Sequence, residues 1–187
     1  MLNHQLANEL LQLADHDLLV REKLLAEGKL FGGYHPEMEA VHKANAKRLR
    51  EIIAVIGYPG LSKVGEKASE AAWLIVQHAI GEPDFMQKCY QMMVDNSDDV
   101  NLTNIAYLHD RIQVFKSKPQ LYGTQLTANG AIYPVTNKHS LNKERMKMNL
   151  PALSQEQINN IPAIDQIPTM DLEDEGYQIW RKKVGWI

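Results

Sequence analysis

Glu66, Glu70, Trp73 and Gln77 fall on one line of a helix. At about 100° per residue, their side chains lie within a stripe roughly 60° wide. Carboxylates, an indole N–H and an amide on one line can hold a small polar molecule or exchange protons with it. The rest of the segment at residues 62–79 includes Ala68, Ala71, Ala72, Leu74, Ile75, Val76 and Ala79, so its flanks and back are apolar. A surface helix shows the reverse, an apolar stripe and a broad polar face. A helix apolar nearly all round is expected to be buried, and a buried carboxylate or amide needs a partner or a ligand. The stripe therefore reads as a pocket wall. His78 stands about 100° away from it, and an ordinary imidazole pKa of about 6.5 suits a general base at neutral pH. A structural hydrogen bond is the plainer role for a lone histidine near a helix end.

A second group, His35, Glu39 and His42, recurs at i, i+4 and i+7 along one helix edge. Imidazoles and a carboxylate can ligate Zn or Fe. Three ligands from one helix need a fourth from elsewhere, however, and the second Glu-x-x-His motif of carboxylate-bridged metal bundles is absent. Capping and packing explain these residues more simply, so no metal site is assigned. His42 and Asn45 share the apolar side of that helix and are expected to be buried, in a core hydrogen-bond network or a pocket. Asp17 falls in the middle of an apolar stripe with Arg21 one turn later. An acid–base pair there reads as structural.

Asp110-Arg111 and then Gln120, Tyr122, Gly123, Thr124 and Gln125 place many directional groups within sixteen residues. Arginine fixes carboxylate or phosphate in a bidentate manner, and glycine admits a close backbone approach. Alone, this stretch reads as a hairpin buttressed by its helix. The single cysteine, Cys89, follows Phe85 at helical spacing and reads as a core residue. No Ser/His/Asp or Cys/His arrangement appears, so nucleophilic catalysis has no support.

The elements that position these groups are mostly helical. Leu2, Leu6, Leu10, Leu13, Val20 and Leu24 mark a helix over residues 2–27. Pro36 opens a second, ending at Gly57, Pro59 and Gly60. A third runs from about residue 62 to 79, a fourth from Pro83 to about 95 and a fifth from about 101 to 115, stopped by Pro119. LYGTQLT and AIYPV then flank Ala128-Asn129-Gly130, the strongest short signal for a β-hairpin. Short helices follow near 140–149 and 154–160. The expected fold is mainly α: a bundle of about five main helices with a C-terminal β-hairpin at about 120–136 and short helices. Residues 1–160 form the expected single domain. Residues 161–187, with Pro162, Pro168, a DLEDE run, Trp180 and Trp186, form a tail expected to dock on that domain or on a partner.

The chain has 187 residues, 44% hydrophobic and 23% charged, with a net charge of -3. That is the composition of a soluble globular protein, with no basic surplus to suggest nucleic acid or an anionic membrane. No apolar run approaches the ~20 residues of a membrane span. The N-terminus lacks the basic region and apolar core of a signal peptide, and one cysteine excludes an internal disulfide framework. A cytoplasmic location is the expectation.

Three stretches, GYHPEMEAVHKANAKRL, VGEKASEAAWLIVQHAIGEPDF and LHDRIQVFKSKPQLYGTQ, together with the closing KERMKMNLPAL, resemble a bacterial domain-of-unknown-function family. Its marks are a Val-Gly-Glu segment, an Ala-Ala-Trp-Leu…Gln-His-Ala helix, an Asp-Arg segment and a Pro-Gln-x-Tyr-Gly-Thr-Gln signature. The resemblance spans about residues 17–152. Here Lys67-Ala68 replaces an acidic-Gly pair, His109 stands where an acid is usual, and Asn149 replaces glycine. The resemblance implies a soluble helical fold and brings no activity. Its polar signature matches at Glu66, Glu70, Trp73, Gln77, His78, Asp110, Arg111, Gln120, Tyr122, Gly123, Thr124 and Gln125, as a shared pocket would produce.

The leading expectation is a small hydrolase or transferase acting on a small polar substrate. Glu70 or His78 would be acid and base, Asp110 would orient, and Arg111 or Gln125 would hold an anionic or amide group. The alternatives are a non-catalytic ligand- or protein-binding module that uses its Trp-bearing tail, and a purely structural polar network. The sequence specifies no substrate, cofactor or oligomeric state.

Overall fold

Asn3 caps the first helix, its side chain accepting from the Leu6 N–H at 3.0 Å. The computed structural model describes residues 2–30, 33–127, 129–167 and 174–187. Ala128, Pro168, residues 31–32 of the glycine-bounded break and residues 171–173 of the acidic run lie outside the described residues. The chain divides into two compact units, Met1–Asn101 and Leu102–Ile187.

The first unit holds α1 (His4–Ala26), α2 (Pro36–Ile56), α3 (Leu61–Val64), α4 (Glu66–His78) and α5 (Pro83–Asp95). The inward residues of α1 are Ala7, Leu10, Ala14, Asp17 and Leu24, and those of α2 are Met38, His42, Asn45, Ala46, Leu49 and Ile52. Both sets follow the three-and-four spacing of one helix face. Each therefore carries a titratable group into the core together with its leucines. α4 packs against both helices through small residues, Ala68, Ala71 and Ala72, that permit close approach. The helix expected over residues 62–79 is two helices. Gly65, at φ 80°, breaks it, because a left-handed residue ends α3 and starts α4.

The second unit holds α6 (Leu102–Phe115), α7 (Leu141–Lys147), α8 (Gln155–Asn159), a 3-10 turn at Ile164–Gln166 and α9 (Glu175–Val184). A small cluster of Val135, Leu141, Ile158 and Ile161 packs beneath the loop that joins α6 to α7. The tail helix α9 places Arg181 out of solvent, its Nη1 donating to Phe115 O at 3.3 Å and Ser117 Oγ at 2.7 Å. Trp186 stacks on Phe115 with ring centroids 4.9 Å apart.

The expected β-hairpin is not formed. Among the described residues there is no strand, only two isolated bridges, Gln120 with Val135 and Leu126 with Ile132. The chain does reverse at the predicted place: the Thr127 N–H donates to Ala131 O at 2.8 Å. The ladder fails because side chains have taken its donors. The N–H groups of Leu121, Tyr122 and Thr124 go to the Asp110 carboxylate, and that of Gln125 goes to Gln120 Oε1. Pro134 has no N–H to give, and Gly123 at φ 65° turns the chain out of extended geometry. A mainly α fold stands; its β element does not.

Candidate functional site

Asp17 is 1% exposed, and its carboxylate faces two imidazoles from two other helices. His78, at the C-terminal end of α4, puts Nδ1 3.0 Å from Asp17 Oδ1. His42, on the inner face of α2, puts Nε2 3.3 Å from Asp17 Oδ2. That second pair is near but not aligned: both atoms are buried and neither has a hydrogen bond. The far side of the His42 ring is held by Tyr34, whose hydroxyl lies 2.7 Å from Nδ1 and whose ring stacks on it. The His42 and His78 rings are 5.2 Å apart between centroids. Asn45, one turn beyond His42, donates to Leu13 O and ties α2 to α1 beside the cluster.

The electrostatics follow from this arrangement. Burial alone would push the Asp17 carboxyl up, but the imidazoles of His42 and His78 overturn that and hold it well below the usual carboxylate range. Burial, helped by the negative charges of Glu39 and Asp17, pushes the Tyr34 phenol up, so that hydroxyl keeps its proton. His78 is the member that solvent reaches, with 22% of its side chain exposed. Arg21, the partner expected for Asp17, is exposed and makes no ion pair with it. The physical reason is depth: Asp17 points into the helix interface, where only residues of α2 and α4 can follow it.

The metal alternative on one helix edge comes apart. His35 caps α2, accepting from the Glu37 N–H at 3.2 Å. Glu39 pairs with Lys43 at 2.6 Å, and only His42 turns inward. The stripe on α4 is graded rather than buried throughout. Glu66 and Glu70 are exposed, Trp73 is half-buried and Gln77 is buried.

In the second unit, Asp110 has no exposed surface, and its carboxylate collects backbone donors. Oδ1 accepts from Leu121 N at 2.9 Å, and Oδ2 accepts from Thr124 N at 3.0 Å and Thr124 Oγ1 at 3.1 Å. The Tyr122 N–H lies 3.2 Å from both oxygens, and His109 Nδ1 lies 2.9 Å from Oδ1. Gln120 acts as a short strand made of side chain: Nε2 donates to Gln125 O at 3.0 Å and Tyr133 O at 2.7 Å. Arg145 then donates to Tyr122 O, Gly123 O and Pro151 O. The structure thus brings Asp110, Gln120, Tyr122, Gly123, Thr124 and Gln125 together as one loop-holding network. Gly123, Thr124, Tyr107 and Arg145 also line a cleft of about 660 Å³. Burial lowers the Arg111 guanidinium pKa, and the Tyr177 phenol works the other way.

A family model matches residues 4–162. The chain belongs to the DUF6624 family, a family of unknown function. The DUF6624 match takes in Asp17, His42 and His78 as well as the Asp110 loop, and it ends before α9. No curated protein and no solved structure matches the chain significantly. Among the described residues no helix is long and apolar enough to cross a membrane.

Local sequence pattern does not single out Tyr34 or Arg145, and it reads Asp17 as structural. A charged residue in the middle of an apolar helix stripe was the available signal. Its partners lie 25 and 61 residues away, beyond the reach of local patterning.

Proposed function

We propose that this DUF6624 protein is a small hydrolase or transferase acting on a small polar substrate, with its reaction centre at Asp17, His42 and His78. The observation that carries the reading is a carboxylate shut inside three helices and shared between two imidazoles, one of which reaches solvent. Buried titratable groups with specific charge partners concentrate where proton transfer or ligand activation takes place. The cluster suits activation of a water or hydroxyl at its His78 edge for attack on an acyl or phosphoryl group. Asp17 orients both rings, and Tyr34 fixes His42 from behind. Exposed Glu70, eight residues before His78 on α4, is assigned no proton transfer; Asp110 is assigned to holding its loop.

Purified protein assayed against small esters, amides and phosphomonoesters tests the reading. Turnover of one class, lost in Asp17→Asn and His78→Ala and kept in Glu70→Gln, is the expected result. Turnover that survives both of the first two substitutions would end it.

A further inference from the structure

We propose that Asp17, His42 and His78 together hold one divalent transition-metal ion of the borderline class that includes Zn²⁺. The inference rests on the reading of this cluster as the reaction centre, and it names what that centre binds. Each of the three residues offers a ligand atom, and these atoms lie within 4.8 Å of one another. An ion about 2.0–2.2 Å from nitrogen and oxygen ligands sets those ligands roughly 3 to 3.5 Å apart. The pairs seen here, His78 Nδ1 at 3.0 Å from Asp17 Oδ1 and His42 Nε2 at 3.3 Å from Asp17 Oδ2, have that spacing with the carboxylate bound through both oxygens.

The decisive detail is the second pair. Asp17 Oδ2 and His42 Nε2 are buried, face each other at 3.3 Å and are not hydrogen-bonded. Buried polar atoms are nearly always satisfied, and these two, close but not aligned for a hydrogen bond, leave room for a shared partner. A cation between them satisfies both. The outer arrangement fits as well. When His42 Nδ1 donates to the Tyr34 oxygen, 2.7 Å away, Nε2 presents a bare lone pair towards Asp17. Ligating histidines are commonly fixed through their other ring nitrogen in this manner.

Two imidazoles and one carboxylate suit Zn²⁺, Fe²⁺ or Ni²⁺ and not Mg²⁺ or Ca²⁺, which take oxygen sets. Three protein ligands leave a coordination position open, as catalytic sites do and closed structural sites do not. The exposed edge of His78 is where that position meets solvent. When bound, such an ion makes a coordinated water acidic enough to serve as nucleophile near neutral pH.

The test uses the full chain without an affinity tag, stripped by chelator and titrated calorimetrically with Zn²⁺, with Mg²⁺ as control. One Zn²⁺ per chain and no Mg²⁺ is the expected result. His42→Ala and Asp17→Asn should weaken Zn²⁺ at least tenfold, and Tyr34→Phe about tenfold, as loss of an outer partner does. Circular dichroism establishes that each variant is folded; should Asp17→Asn fail to fold, the more exposed His78→Ala takes its place. Co²⁺ loading supplies a second readout, a visible absorption band expected in the wild type and lost in His42→Ala. Absence of binding, or Zn²⁺ affinity unchanged in His42→Ala and His78→Ala, overturns the proposal. The two readings fail separately. Stoichiometric Zn²⁺ without turnover of any substrate class sinks the hydrolase reading and leaves the metal site. Turnover that persists in stripped protein under chelator sinks the metal site and leaves the reaction centre.

Discussion

Asp17 and Asp110 are both carboxylates with almost no exposed surface, each beside an imidazole, yet the rest of their partners differ. Asp110 takes three backbone N–H groups and a threonine hydroxyl from one loop, all between 2.9 and 3.2 Å. The His109 imidazole also reaches Oδ1 at 2.9 Å, but most of the partners are backbone donors of one loop, so the carboxylate is an organiser of that loop. Among the described residues, Asp17 takes no backbone donor, faces only imidazoles from two other helices, and leaves one oxygen without a hydrogen bond. Unpaired buried polar atoms are costly to a fold, and this is what sets Asp17 apart from Asp110. The lesson is that burial of an acid does not mark a functional site. The nature of its partners does.

The comparison breaks most visibly on stability. Asp110→Ala should cost about 3–5 kcal/mol, because it strands several buried backbone donors at once. Urea denaturation measures this. Asp17→Asn, which keeps shape and one acceptor, should cost less than about 2 kcal/mol on the same curves. The reverse order would remove the distinction. Gln120→Leu should fall between them at about 2–3 kcal/mol, because the Gln125 N–H and the Tyr133 carbonyl lose the Gln120 amide and the Gln125 carbonyl keeps only the Tyr133 N–H.

Acid sharpens the contrast further. The Asp17 carboxyl is held below its ordinary value of 3.8, so its contribution to stability is present above that pH and lost as pH falls through and below it. Denaturation midpoints of the wild type should therefore drop more steeply below about pH 4 than those of Asp17→Asn. Parallel acid limbs would count against the arrangement described. The smallest effect concerns Cys89. Burial pushes its thiol up to about 12 against the opposing charge of Arg50, so a thiol reagent at pH 8 should react only when the first unit opens. Asp17→Asn should leave that protection unchanged, and a marked rise in labelling would show Asp17 to be structural.

Most helices were legible because their inner faces carry leucine, alanine and methionine at three-and-four spacing, and because Pro36 and Pro83 open them. The break at Gly65 was missed, since helical periodicity continues through it while the backbone does not. The hairpin was misread for a reason that no local pattern contains. Residues 120–136 have the composition of two strands around an Asn-Gly turn, but the Asp110 carboxylate and the Gln120 amide claim the hydrogen bonds a ladder would use. Asn149, at φ 56°, shows the milder case: a left-handed position that glycine favours and asparagine tolerates. The site was half legible. His78 stands out in the sequence and His42 reads as buried, but that both meet Asp17 depends on contacts that the fold makes.

The most direct test compares urea midpoints of wild type and Asp17→Asn, with and without excess Zn²⁺. The account predicts that Zn²⁺ raises the wild-type midpoint, as any ligand of the folded state must, and raises that of Asp17→Asn much less. It also predicts that the two metal-free midpoints lie close together. A variant as unstable as Asp110→Ala, or a Zn²⁺ shift equal in both proteins, would contradict it.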